Sequence, residues 1–353
     1  MTGSGKAAKI IRGAVFLCLL VVFVFQAGKV LENKNAEKLS GAYFSERKGT
    51  HDVLFLGPST IMNGVYPAEL WHEYGVTSYN LATGNQSAAA SYYLAAEAIR
   101  RDHPRVIVLD CGKMRLKKSI GKLSYLHYIT DRMPLLGANR LAMIRYIAKE
   151  RESTFDETVG LYLPITQYHH RWTDLTEKDF EKDEKAVTLG AKVDARKTKL
   201  TFEAFQPYEA SPDAALPAFS DYWLREIIRL CDETGTDLLL ITMPNMMVAR
   251  YVKQSGYEKR IDAAAAVGRI ADELDVPYLN LLKEGETIGL DPLKHTVDGQ
   301  HFNVKGSTLF TEWLGGYLTE HFQLTDHRGE AQYAYMDARY EAFSELIEKK
   351  TGK

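Results

Sequence analysis

The sequence predicts an α/β fold: a three-layer, flavodoxin-like sandwich of about five parallel strands, preceded by a transmembrane helix and interrupted by a long insertion. Three observations predict it. The balance of 25% charged and 45% hydrophobic residues is that of a globular chain able to bury a sizeable core. From His51 onward, short β-branched runs alternate with helical stretches, the pattern of a parallel sheet covered by helices. One helical stretch ends in Thr234-Gly235 just before a strand, a carboxyl cap where the alternation requires one.

The amino-terminal element comes first. Gly13 to Ala27 read GAVFLCLLVVFVFQA and carry no charge. This run rises only about 22 Å, short of a hydrocarbon core of about 30 Å. Extension from Ile10 to Leu31 reaches about 33 Å if Arg12 and Lys29 snorkel outward. A cleaved signal peptide would put bulky Phe25 where a small residue is wanted, before Gly28. Cys18 lacks the small residues that precede a lipoprotein site. The expectation is therefore an uncleaved signal anchor. Lys6, Lys9 and Arg12 before the span nearly balance Lys29, Lys34 and Lys38 after it. The short tail and a family resemblance place the rest of the chain outside the membrane.

Candidate strands follow at Asp52–Leu56, Thr77–Leu81, Val106–Asp110, Asp237–Met243 and Pro277–Leu281. Helices are expected at Ser87–Arg101, Ala215–Thr234, Glu258–Leu274 and Lys305–His321, and the tail from Gly329 reads as one amphipathic helix. More than a hundred residues, Cys111 to Thr236, separate the third and fourth strands. That is too long for one crossover, so 112–214 is an insertion. It holds a basic cluster (Arg115, Lys117, Lys118) and the aromatic stretch Tyr168-His169-His170-Arg171-Trp172. Its charge-rich run Glu177–Lys199 is expected to be a solvated face or mobile loop. The expected organisation is 1–31 tail and anchor, 32–50 linker, 51–326 the sheet domain with its insertion, and 327–353 a terminal helix.

Several function classes are disfavoured. Lys plus Arg (44) against Asp plus Glu (46) leaves a formal charge of −2, with no global basic field to gather nucleic acid. Cys18, Cys111 and Cys231 are too widely spaced for a metal pattern or a disulfide framework. A metal reading through His295 and His301 lacks a third ligand. Gly3-Ser-Gly-Lys6 lacks the strand and the following hydroxyl of a phosphate loop. No metal, nucleotide or other cofactor is expected.

Two segments could carry chemistry. Ser59 stands in Gly57-Pro58-Ser59-Thr60 directly after the first strand, where a hydroxyl would be presented at the carboxyl edge of the sheet. Gly57 allows a close turn and Pro58 stiffens it. A turn or helix cap would use the same residues. Ile61 stands where the nucleophile elbow of α/β-hydrolases has its last glycine. The second segment, Asp298-Gly299-Gln300-His301, is the chain's one Asp-x-x-His. Asp298 could hold the imidazole of His301 in one tautomer and leave its other nitrogen to accept a proton from Ser59. Equally, Asp298 could cap the helix that follows.

Together the two segments resemble the SGNH (GDSL-like) hydrolase superfamily, over roughly His51 to His321 with the insertion set aside. The resemblance implies Ser59 as nucleophile, His301 as general base and then acid, and Asp298 as its orienter. It also implies an oxyanion hole from the backbone N–H groups of Ser59 and Gly84. The family's third block, Gly-x-Asn-Asp, is absent: Asp110-Cys111-Gly112-Lys113-Met114 has no asparagine. Asn85 or Gln86 is the candidate replacement donor, Gln86 is also a candidate substrate contact, and capping the helix that begins near Ser87 is the rival role for both.

The segment from Gly57 to Trp71, followed by Tyr79-Asn80-Leu81, is similar to bacterial cell-envelope members of the superfamily. These are the D-alanine transfer proteins of teichoic acid (DltD-type) and the acetyl-transfer proteins of exopolysaccharides. The resemblance implies acyl transfer to, or removal from, an envelope polysaccharide or teichoic-acid-like polymer, beside a membrane-bound O-acyltransferase. A catalytically inactive accessory that binds the polymer or that partner is the alternative. His170, Arg171 and Trp172 could stack on a sugar or pair with phosphate, or could simply pack.

Overall fold

Val53–Leu56 carries no polar side chain, and such a strand is stable in a sheet covered on both faces. All four residues are buried, and they form β1 of a five-stranded parallel sheet in the computed structural model. The described residues are 3–31, 42–116, 122–177, 185–199, 207–250 and 256–352. With β2 (Ser78–Asn80), β3 (Val106–Asp110), β4 (Asp237–Thr242) and β5 (Tyr278–Asn280), the strand order is β2-β1-β3-β4-β5. This is the flavodoxin-like order. Leu54 pairs with Ile107 and Ile107 with Leu238, so β1, β3 and β4 end at one edge. The direction of strand addition reverses between β1 and β3. Such switch points open a crevice at the carboxyl ends of the strands.

The helices, in chain order, are α1 (Gly3–Leu31), α2 (Ser59–Gly64), α3 (Pro67–Tyr74), α4 (Ala88–Asp102), α5 (Leu123–Thr130), α6 (Ala138–Arg151), α7 (Phe155–Tyr162), α8 (Pro164–Tyr168) and α9 (Lys185–Thr188). They continue with α10 (Ala218–Thr234), α11 (Met246–Ala249), α12 (Tyr257–Glu273), α13 (Pro292–His295), α14 (Val304–His321) and α15 (Tyr335–Thr351). Ser87 begins α4 by accepting from the Ala90 N–H at 3.2 Å. The helix expected from Ala215 starts three residues later, because Pro217 bars Leu216 from helical geometry. β3 and β4 are separated by the long insertion, which contributes α5 to α9.

The described residues form two compact units. One joins Met1–Asn35 to Ile144–Lys182. Within it, α8 and the 3₁₀ turn His169–Thr173 pack on α1. Ala7–Gly28 of α1, 22 residues of mean hydropathy 2.4, is long and apolar enough to cross a membrane. The other unit joins Ala36–Met143 to Asp183–Lys353 and holds the sheet. Its core sets Val53, Phe55, Val106 and Val108 of the sheet with Phe310 and Leu314 of α14. The tail helix α15 docks on α3, where the Trp71 indole donates to Asp337 at 2.9 Å.

One expectation is corrected. In the described part of the charge-rich run, 185–199, Thr188 to Ala191 and Val193 are buried, and the segment is threaded into the sheet unit; 178–184 lie outside the described residues. The Asn80 N–H donates to the Leu189 carbonyl at 2.9 Å, and the Lys192 N–H to that of Met62 at 2.9 Å. Gly190 (φ +86) makes this possible, since a Cβ there would lie 2.0 Å from the Asn80 carbonyl oxygen. The uncharged run Ala186 to Ala191, masked by the total charge of its surroundings, is the signal. Lys117 and Lys118 of the basic cluster lie outside the described residues.

Candidate active site

The turn after β1 is built around a glycine. Gly57 has φ +137, and a Cβ there would come within 2.9 Å of Asp110 Cβ on β3. Only glycine fits so close an approach of two strand ends. Pro58 is extended, and Ser59 becomes the first residue of α2. Asn80 then fixes α2, its amide donating to the carbonyls of Ile61 (3.0 Å) and Val65 (3.1 Å). Thr60 donates to the Asp110 carboxylate, which also accepts from the N–H of Gly112 at 2.8 Å. Burial pushes the Asp110 carboxyl up, against the pull of these donors.

The partner segment reaches the same edge from the far end of the chain. Phe302, buried in the core, anchors it, and Thr296 bridges to Phe302 across the intervening turn. Asp298 Oδ1 accepts from the N–H of Gln300 at 3.1 Å and of His301 at 2.9 Å. Its Oδ2 lies 2.7 Å from His301 Nδ1. Burial works against the charged Asp298, but the imidazole and the two N–H groups outweigh it and hold the carboxyl below its ordinary range. A carboxylate only accepts, so Nδ1 carries a proton and Nε2 is left as an acceptor. His301 Nε2 lies 2.8 Å from Ser59 Oγ. The cap of α14 is Asn303, whose side chain accepts from the Gly306 N–H at 3.2 Å. Asp298 is therefore free of the capping role that the sequence left open.

Ser59 and His301 border a small cleft of about 40 Å³, whose walls include Asp110 to Lys113, Met243, Asn245 and Arg260. The other candidate residues are placed as follows. Gln86 is buried and committed: its Oε1 accepts from the Gly57 N–H at 2.8 Å and its Nε2 donates to the Leu81 carbonyl at 3.0 Å. It braces the nucleophile turn, which corrects its reading as a substrate or oxyanion residue. Asn85 is exposed with φ +53. Neither Gly84 nor Asn85 is among the residues lining the cleft. His170, Arg171 and Trp172 belong to the unit of α1, where Arg171 donates to the Leu31 carbonyl at 2.8 Å. That contact places a cation on the carboxyl end of α1, a favourable site for positive charge. His295 turns away from metal chemistry, its Nδ1 accepting from the Asp291 N–H at 2.9 Å.

Sequence reasoning missed Asn80, Thr60, Asp110, Lys113 and Arg260. Asp110 has a signal, a polar residue ending an otherwise apolar buried strand.

No family model and no curated protein matches the chain. Similar solved structures include a protein of Bacteroides fragilis NCTC 9343 described as a "putative acylhydrolase". It is 10% identical with a TM-score of 0.38, and the match covers 82% of this chain and 98% of that one. Another is a gut microbial diltiazem-metabolizing enzyme, 11% identical with a TM-score of 0.36, covering 76% of this chain and 47% of that one. Likenesses at this level assign neither family nor activity, and the functional reading rests on the site itself.

Proposed function

We propose that the chain is a membrane-anchored serine esterase or O-acyltransferase of the SGNH type, acting outside the membrane on a cell-envelope polymer. The observation that carries the reading is the unbroken run of hydrogen bonds from Ser59 through His301 to Asp298 at the border of a cleft. Ser59 Oγ attacks the acyl carbonyl carbon as His301 Nε2 takes its proton. Asp298 holds the ring and stabilises the imidazolium. Collapse of the tetrahedral intermediate breaks the bond to the leaving oxygen, which receives the proton from His301. A second cycle delivers the acyl group from Ser59 to water or to a polymer hydroxyl. The backbone N–H groups of Ser59 and Gly84 are the proposed oxyanion donors, with the exposed amide of Asn85 as the third. One such donor is worth about 2.7–4 kcal/mol of barrier.

The apolar stretch of α1 supports anchoring, and a membrane-bound O-acyltransferase is the proposed source of the acyl group. A protease added to intact cells should then digest the domain beyond residue 31; protection until lysis would reverse the orientation. A fluorophosphonate probe should label wild-type protein and not Ser59→Ala of unchanged Tm, whereas equal labelling would move the nucleophile elsewhere. One observation favours a non-catalytic accessory: Cys111-Gly112 stands where the third-block asparagine is expected. Rescue of a gene deletion by Ser59→Ala would establish that second reading.

A further inference from the structure

Three cations gather at the cleft beside the triad. Lys113, from the turn after β3, and Arg260, on α12, line it directly. Arg115 stands close enough to depress both, and its guanidinium donates to the Gly112 carbonyl at 3.1 Å. Arg260 reaches toward the triad, its Nη2 donating at 3.2 Å to the side chain of Gln300, the residue before His301. Its Nε is buried without a hydrogen-bond partner among the described residues. Among those residues none of the three cations forms an ion pair. The one acid that acts on Lys113 and Arg260 is Asp110, and its carboxylate already accepts from Thr60, Gly112 and, at 3.4 Å, the Met243 N–H.

This is an expensive arrangement for a protein to keep. Burial, reinforced by Arg115 and Arg260, pushes the Lys113 ammonium down to about 8. Burial and Arg115 likewise push Arg260 down to about 10. Like charges set together in a partly desolvated cleft are costly unless a counter-charge completes them. A guanidinium with an unused buried donor is suited to a planar or tetrahedral oxyanion.

We propose that Lys113, Arg115 and Arg260 form an anion subsite beside the triad, which holds a phosphate or carboxylate group of the molecule whose acyl ester meets Ser59. The position of that ester rests on the serine-acyl reading above; the anion site rests on the cations alone. The site would select, from the esters able to reach Ser59, those carrying a negative group close to the scissile bond. It would also explain a strongly basic wall in a chain of net charge −2.

Two measurements on the full-length protein in detergent test this and keep it apart from the triad. The first is calorimetric titration of Ser59→Ala with inorganic phosphate and, separately, with succinate. Binding of at least one is expected, and the tighter of the two identifies which oxyanion the site prefers. Adding Arg260→Gln to Ser59→Ala should weaken that binding about tenfold, the loss of one charge-assisted pair. Lys113→Gln gives the same readout should the Arg260 variant fail to fold. The second is the ratio of kcat/KM for mono-p-nitrophenyl succinate over neutral p-nitrophenyl butyrate, expected to fall about tenfold in Arg260→Gln. Absence of binding by both anions, or binding and a ratio unmoved by either substitution, overturns the subsite. If wild type turns over neither ester, yet anion binding to Ser59→Ala is present and lost with Arg260, the subsite stands and the triad reading falls.

Discussion

His51 and His301 each point Nδ1 at an aspartate, at 2.9 Å from Asp102 and 2.7 Å from Asp298. Their surroundings are opposite. The His51 and Asp102 side chains are about 1% and 0% exposed, and the ring lies against Tyr43 and Tyr79 at centroid distances of 5.6 and 5.5 Å. Asp102 also accepts from the Gly49 N–H at 2.8 Å, so the pair ties the amino-terminal edge of the sheet unit to the end of α4. The Nε2 of His51 is buried without a hydrogen-bond partner among the described residues. His301 has a hydroxyl on that nitrogen and a cleft beside it. An imidazole–carboxylate pair is thus a structural unit of general use. On the proposed reading, a hydroxyl on the far nitrogen and a path for substrate are what would turn it into a relay.

The two aspartates should therefore fail in opposite ways. Asn at position 298 still accepts hydrogen bonds from the backbone, but it also presents an amide donor to Nδ1 and favours the wrong tautomer. In the serine-protease template that change costs about 10⁴ in rate. Asp298→Asn should lose turnover of a small activated ester by about that factor, with Tm within a degree or so of wild type. Near wild-type turnover would remove Asp298 from the relay.

Asp102→Ala should do the reverse. It strands the buried Nδ1 of His51 and the Gly49 N–H, at a cost of about 2–4 kcal/mol. Thermal unfolding should show Tm lower by about 3–5 °C, with ester turnover per folded molecule retained. Loss of turnover at full stability would mean that the buried pair takes part in the chemistry and that the contrast drawn here is false.

The contrast also shows what a sequence displays. Asp298 and His301 are three apart, and Ser59 follows a recognisable strand, so the hydrogen-bonded run of Ser59, His301 and Asp298 is legible from local spacing and one long-range juxtaposition. His51 and Asp102 lie far apart in sequence, as do Asp110 and Arg260, and no local period joins them. The sheet was legible because Val53–Leu56 and Val106–Asp110 leave no other way to bury so many apolar residues in sequence. Gln86 shows the limit of local spacing. Its position after Gly84 suggested the oxyanion hole, whereas its orientation toward the Gly57 N–H is a tertiary fact. The burial of Thr188 to Ala191 is hidden when charge is averaged over the whole run, because the uncharged stretch Ala186 to Ala191 is short.

Glu69 sharpens the comparison with the smallest effect, because it is a buried acid with no imidazole at all. It lies on α3, 9% exposed, and among the described residues its carboxylate has no hydrogen-bond donor. Burial, helped by Glu312 and Glu73, pushes its carboxyl from 4.5 up to about 7. Below pH 4.5 it is protonated in both folded and unfolded chains and carries no penalty. Between 4.5 and 7 the folded chain holds a proton that the unfolded chain has released, so stability falls as pH rises through this window. Above 7 the folded state carries the full cost of a buried, unpaired carboxylate. Glu69→Gln keeps the shape and removes the titration, while its amide bears a smaller burial cost of its own. The Tm difference, variant minus wild type, should therefore rise by about 1–2 °C between pH 4.5 and pH 8, or about 1 kcal/mol. Differential scanning calorimetry at several pH values reads this directly, and taking the difference cancels the titration of every other group. A difference that stays flat across the window would mean that Glu69 finds a counter-charge in solution. A difference that falls with pH would mean that the charged form is the stabilised one, as it is for Asp102 and Asp298.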